Sequence, residues 1–273
     1  HFHNQGTIMY YNKYRLLFTG AGSYDADAQT YFTAAGITNA GHKSAWNTFV
    51  LDCKANGNWT PLIAAYPLIG GTSGTHAVNA KTPGTYNLSF TGITHSSSGI
   101  QGNGTSNNVN TYLQPSSVFG SNTGIHLCFY SPTVTLSGTA VETDIGFFNG
   151  TTTFLVSEVY KPSNYVIQGG IFNPSVSGSA VSMGANGVWI IENPSSITVN
   201  FYRNGSSVGS YTNAKSTLAS ITGTIRLTCR VDNAGTVSRR TSKTYGCFSI
   251  GTTLGDVAAF SAAIATLQAA LGR

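Results

Sequence analysis

From residue 72 to about residue 251 the apolar side chains recur at every second position in short runs, and a cluster of Gly, Ser, Asn or Pro closes each run. A period of two is what a strand with one buried face requires, and many brief strands between turn residues predict an antiparallel sandwich. The candidate strands are 86–90, 126–130, 144–148, 153–159, 165–171, 188–191 and 196–203. The last of these is followed by Asn204-Gly205 and a second run, 207–211. Asn-Gly supplies the two positive-φ positions of a type I′ turn, so this pair reads as a hairpin with Ile197, Val199 and Phe201 on one face.

The residue content agrees with strands and turns. Gly, Ser, Thr and Asn make up 119 of 273 residues, while only 23 residues are formally charged. An ordinary domain carries about 25% charged residues, and long solvated helices need them, so an all-helical bundle or a long coiled coil is excluded. With 41% apolar and 11% aromatic residues there is material for a core, which excludes disorder. The net charge of +5 comes from scattered bases with no run longer than Arg239-Arg240, too dilute for a nucleic-acid surface. No apolar stretch of 18 residues is present to insert into a membrane. The opening, His1 to Ile8, lacks the charged and apolar regions of a secretory leader. A chain that starts at His1 reads as processed, truncated or incompletely bounded, with Met9 as an alternative start.

Three zones follow. Residues 1–24, with Tyr10, Tyr11, Tyr14 and Phe18 ahead of Gly20-Ala21-Gly22, form an arm or linker that must lean on the body or a neighbouring subunit. Residues 25–71 form a helical segment. Its first helix begins near Asp25 with acids in the first turn. Its second carries Ala45, Trp46, Phe49, Val50 and Cys53 at helical spacing, with Thr38 or Asn39 to cap it and Gly57 to stop it. A short buried element, 62–66, ends that segment before Pro67 and Gly70-Gly71. Residues 72–273 form the sandwich and end in a C-terminal helix whose apolar stripe is Val257, Phe260, Ile264, Leu267 and Leu271. Two heptads are too few for a coiled coil, so the stripe is expected to pack on the sandwich.

The chain is poor in catalytic patterns. Glu142 and Asp144 are the one acid pair on a strand, and a glycosidase needs two carboxylates flanking the scissile bond. Gly146, Phe147 and Phe148 follow where a further acid would be needed, so the pair is expected on a solvated strand face. His1-Phe2-His3 offers two imidazoles on one side of an extended chain, and a terminal tag explains it as well. His42, His76, His95 and His126 show no ligand spacing. There is no GxSxG elbow, and the glycines of 99–104 lack the Lys-Ser/Thr of a phosphate loop. Cys53, Cys128, Cys229 and Cys247 are too far apart for a CxxC motif and are expected as buried thiols. Cys229 and Cys247 would meet if the runs 225–231 and 244–250 paired. Five glycosylation sequons, at Asn58, Asn87, Asn103, Asn149 and Asn204, match what chance gives in so Asn-, Ser- and Thr-rich a chain. Trp59 and Trp189 are candidates for stacking on sugars, with burial in the core the commoner role of Trp. No catalytic, cofactor-binding or metal-binding residue is assigned.

Several segments in order resemble the concanavalin-like, laminin-G-like domains of tailed-bacteriophage tail-fibre and appendage proteins. They are Asp25-Ala26-Asp27-Ala28-Gln29 with Phe32 to Gly36, Trp59-Thr60, Ala65-Tyr66-Pro67 and Gly70-Gly71. After them come Thr94-His95-Ser96-Ser97-Ser98-Gly99, Asn103-Gly104-Thr105, Asn110-Thr111-Tyr112-Leu113, Phe201 to Gly205, Phe248-Ser249-Ile250-Gly251 and Leu271-Gly272-Arg273. The resemblance covers roughly 25–273. It implies a mainly β fold, a jelly-roll sandwich at a virion surface, without enzyme activity or cofactor. As a tail fibre, head fibre or capsid decoration it would partner other virion proteins, form a homotrimer and contact host-surface glycans. The rival expectations are a secreted carbohydrate-binding module and, behind it, a glycoside hydrolase.

Overall fold

In the computed structural model, which describes residues 23–132, 142–149, 154–160, 166–173, 177–179, 187–195, 197–212 and 222–273, two helices precede the sheets. Asp25 caps α1 (Ala26–Ala35) by accepting the Asp27 N–H, and Gly36 ends it in the left-handed region at φ 67°. Asn39, not Thr38, caps α2 (Ala40–Ala55), accepting the His42 N–H at 3.0 Å. Lys54 near the end of α2 pairs with Asp25 at 2.7 Å and Asp27 at 2.6 Å, so the acids that start α1 also tie the two helices together. Residues 1–22, including the arm and His1-Phe2-His3, lie outside the described residues.

The element after α2 is a strand, β1 (Leu62–Tyr66). Then come α3 (Ser73–Ala77), β2 (Ser89–Thr91), β3 (Ile93–Ser96), β4 (Gly99–Gly102), β5 (Asn108–Asn110) and α4 (Pro115–Val118). The middle of the chain holds β6 (Ile125–Ser131), β7 (Glu142–Phe148), β8 (Phe154–Tyr160), β9 (Val166–Asn173), β10 (Ser177–Ser179) and β11 (Gly187–Asn193). Next are β12 (Thr198–Arg203), β13 (Ser206–Thr212), β14 (Arg226–Leu227), β15 (Arg230–Val231), β16 (Val237–Ser238) and β17 (Thr244–Tyr245). The chain closes with β18 (Cys247–Thr252) and α5 (Val257–Ala270).

Two main sheets form the sandwich. One runs β1-β18-β6-β11-β12-β13 and the other β10-β9-β8-β7-β14-β5-β2, with antiparallel pairing throughout both ladders. β1 pairs with β18, so the end of the stretch expected to be helical belongs to a sheet of the sandwich. Between the sheets lie Leu127, Phe129, Trp189, Ile191, Val199, Phe201, Phe248 and Ile250 from the first and Val109, Ile145, Phe147, Ile171 and Leu227 from the second.

The six-stranded sheet is covered on its other side as well. Cys128, Val188, Ile190 and Cys247 point away from the sandwich core into a second cluster, with Trp46, Phe49, Val50 and Cys53 of α2 and Phe260, Ile264 and Leu267 of α5. Every residue of β11 is buried, which is why its centre, 188–191, reads as an unbroken apolar run. The stripe on α5 packs as the sequence predicts, and α2 is its neighbour: Phe49 stacks on Trp46 at 4.7 Å and meets Phe260 at 6.0 Å. Asp256 caps α5, accepting the Ala259 N–H at 2.9 Å.

Some strand expectations need correction. The run 86–90 is a strand only from Ser89, because Tyr86 sits at φ 57°, a conformation a strand cannot hold. The hairpin forms, with Asn204 at φ 49° and Gly205 at φ 80°, and buries Val199 and Phe201. Ile197 is 49% exposed, because pairing with β13 begins one residue later, at Thr198. The run 225–231 breaks at Thr228, φ 65°, and 244–250 breaks at Gly246. These halves pair with other strands, so Cys229 and Cys247 do not face each other, and all four cysteines are buried free thiols.

Candidate functional site

The acid pair on β7 is not solvated. Asp144 is wholly buried and Glu142 nearly so. A register shift in the β7–β8 ladder between Thr143 and Ile145 places Asp144 in a bulge, and the segment leading into β17 covers both acids. Lys243 makes direct contact with Asp144 Oδ1, Tyr245 donates to the same oxygen at 2.6 Å, and Thr241 donates to Glu142 Oε2 at 2.8 Å. Burial pushes the Asp144 carboxyl up, against the opposing pull of Lys243 and Tyr245. Neither carboxylate faces an open cleft, as cleavage of a bound saccharide between them would demand.

The exposed face of the seven-stranded sheet is chemically different. Val109 and Leu227 point inward and are fully buried, so their strand neighbours Asn108, Asn110 and Arg226 point outward. Register lines up Ser89, Asn110, Arg226 and Gly146 across four strands. Asn110 does local work just after β5. Its side chain accepts the Tyr112 N–H at 2.9 Å and the Thr224 hydroxyl at 2.8 Å. This Asx arrangement stabilises Tyr112 at φ 56°, where a bulky residue is seldom found.

Tyr112 is consequently turned out. It is 55% exposed, and its hydroxyl reaches Ser89 Oγ at 3.0 Å. A ring fixed at its backbone by one strand and at its tip by the next is a rigid apolar plate with a polar edge. Beside it Arg226 is half-buried, and its Nε and Nη1 are closed off from solvent without a hydrogen-bond partner. Burial holds the Arg226 guanidinium below its ordinary range, with Tyr112 among the groups that oppose the shift. Ser89 and Thr91 are exposed on the edge strand next to this pair. Sequence reading did not select Tyr112 or Arg226 as functional. An Asn two residues before an aromatic was the available signal for the turn, and the alternation Ile225-Arg226-Leu227 was the signal for the outward guanidinium.

Other candidates are structural or open onto little. Trp59 and Trp189 are buried, as the commoner role of Trp implies; Trp59 Nε1 donates to Asp27 at 3.0 Å. Asn58 is fully buried and exchanges two hydrogen bonds with the backbone of Asp256, so its sequon is inaccessible. His126 is buried under Phe260 and donates through Nδ1 to the Thr252 carbonyl at 2.6 Å. His76 and His95 contact each other at 3.0 Å through their Nδ1 atoms. Because His76 Nε2 accepts the Gly71 N–H, its proton lies on Nδ1 and points at His95. Among the described residues no group of three or more His, Cys, Asp or Glu side chains is placed to hold a metal. An open groove of about 140 Å³ runs beside Ile37, Asn39, His42, Gly70 and Thr75. It has no aromatic wall apart from the His42 ring.

No family model matches the chain, and no curated protein matches it in sequence. In three dimensions it is similar to a Trypanosoma rangeli sialidase mutant displaying trans-sialidase activity. The TM-score is 0.53 at 9% identity over 84% of this chain and 39% of that one. The T. rangeli sialidase in complex with sialic acid gives 0.51 at 12% identity, over 77% of this chain and 33% of that one. Domain 4 of AbnA, a GH43 extracellular arabinanase from Geobacillus stearothermophilus, in complex with arabinotriose, gives 0.47 at 14%, over 73% of this chain and 98% of that one. The two sialidase matches show a shared fold, a lectin-like β-sandwich.

Proposed function

We propose that this chain is a non-enzymatic contact domain that binds carbohydrate through Tyr112 and Arg226. In this reading it is carried at the surface of a bacteriophage particle as a tail fibre, head fibre or capsid decoration, and works as a homotrimer. The observation that carries the binding role is the exposed Tyr112 ring, anchored by Asn110 and Ser89 next to the half-buried Arg226. A sugar presents an apolar C–H face and a rim of hydroxyls. The ring covers the first, while Arg226, Ser89 and Thr91 hydrogen-bond the second, directly or through water. The buried, paired state of Glu142 and Asp144 supports contact rather than turnover. The virion setting and the trimer rest on the sequence resemblance, and a surface rich in neutral hydroxyls and amides suits wet subunit contacts.

The test is a glycan array probed with the protein and with Tyr112→Ala, followed by titration of the best ligand. Binding is expected, weakened about tenfold in the variant, a loss of about 1.4 kcal/mol. Unchanged affinity in Tyr112→Ala would overturn the site. Light scattering separates the settings: a trimer fits the appendage, and a monomer that retains sugar binding fits a secreted module.

A further inference from the structure

The buried cluster around Asp144 has features that a stabilising ion pair does not need. Lys243 and Asp144 are in direct contact with side chains only 2% and 0% exposed. Asp144 Oδ1 takes both the ammonium and the Tyr245 hydroxyl, whereas Oδ2 is buried with no hydrogen-bond partner. Phe129 and Tyr245 place their rings 5.6 and 6.0 Å from Lys243 Nζ, so the contact is walled by aromatics. Leaving a charged pair there with one oxygen bare is costly. Moving a single proton from Nζ to Oδ1, the oxygen it touches, converts the pair into a neutral amine and a neutral acid already in contact. Burial also favours the protonated form of Asp144.

We propose that Lys243 and Asp144 join covalently, forming an intramolecular amide between Nζ and Cγ with loss of one water. Nζ, having passed its first proton to Oδ1, attacks Cγ, and the negative charge develops on Oδ2. A second proton leaves Nζ for the Oδ1 hydroxyl, the Cγ–Oδ1 bond breaks with the Tyr245 hydroxyl bonded to the departing oxygen, water leaves and Oδ2 becomes the amide carbonyl. The third proton remains as the amide N–H, and no oxidant or cofactor enters the balance. Enforced contact substitutes for activation of the acid, as in other well-oriented intramolecular reactions. Glu142 is a positioning residue. It accepts the Thr241 proton, so Thr241 has none to offer Tyr245, 3.4 Å away, and the Tyr245 proton is directed at Oδ1. The amide would tie β7, in the seven-stranded sheet, to the segment that runs through β17 into β18 of the six-stranded sheet.

Intact mass spectrometry of the denatured protein decides the matter. The expected mass is one water below that of the sequence, with a protease-resistant branched peptide joining the segments around residues 144 and 243. Lys243→Arg and Asp144→Ala should each show the full sequence mass, whether or not they fold well. In freshly folded Tyr245→Phe, without the hydroxyl that assists the departing oxygen, the dehydrated species should accumulate about a hundredfold more slowly. Glu142→Gln should also slow it while still ending one water below that variant's own sequence mass. The parent at full mass, or a water lost without a branched peptide, would overturn the proposal. Formation in Tyr245→Phe at the parental rate would overturn the role given to that hydroxyl.

Discussion

Arg273 shows how much one side chain carries in a protein with few charges. Its guanidinium donates to the carbonyls of Ser97 at 2.8 Å, Leu68 at 2.8 Å and Gly246 at 3.0 Å, and so joins three separate loops. Hydrogen bonds to charged groups contribute about 1.5–3 kcal/mol, so Arg273→Ala should lower the unfolding free energy by about 2 kcal/mol or more, read by urea titration. A loss below about 0.5 kcal/mol would mean that water replaces the guanidinium freely. Such long-range partners are invisible in a sequence. The solvated face expected for Glu142 and Asp144 was wrong for the same reason: Lys243 and Tyr245 are 99 and 101 residues away from Asp144 along the chain. Local chemistry was readable by contrast, as the start of α1 near Asp25, the Asn39 cap and the Asn204-Gly205 turn show.

At the scale of elements, α5 decides whether the six-stranded sheet has one wet face or none. Phe260 is fully buried between Phe49 and His126, so Phe260→Ala should cost about 3–5 kcal/mol and loosen the helical layer before the sandwich, seen as earlier loss of near-UV signal than of strand signal. The hairpin turn docks on the same helix. A Cβ on Gly205 would meet Ala258 Cα at 3.0 Å, and φ there is 80°. Gly205→Ala should therefore destabilise by more than the ~1 kcal/mol typical of positive φ alone, measured by thermal melting. Periodicity revealed α5 and most of the strands, since it records which faces are apolar. It could not say that 62–66 joins β18, because a buried strand and a buried helix turn share the same short apolar run.

For the whole molecule, stability should depend on buried imidazoles. Burial pushes His126 down to about 4, partly offset by its bond to the Thr252 carbonyl, and pushes His76 down to about 3, with His95 and Arg273 adding to the shift. In the unfolded chain both titrate near 6.5, so the unfolded state takes up protons first as pH falls. Stability is complete above about pH 6.5 and declines as pH drops towards 4, with His126 alone accounting for on the order of 3 kcal/mol. Thermal melts from pH 7.5 to 4.5 of the protein and of His126→Asn should show a smaller decline in the variant. Equal declines would remove His126 as a cause.

The proposed saccharide site is built on the fixed, exposed Tyr112 ring with Arg226 beside it. Amide chemical-shift mapping, with the glycan that scores best on the array, tests it most directly. The largest shifts should cluster at Ser89, Thr91, Asn108 to Tyr112 and Thr224 to Leu227. Shifts confined to the groove at Ile37, Asn39, His42 and Thr75, or spread without a cluster, would contradict it.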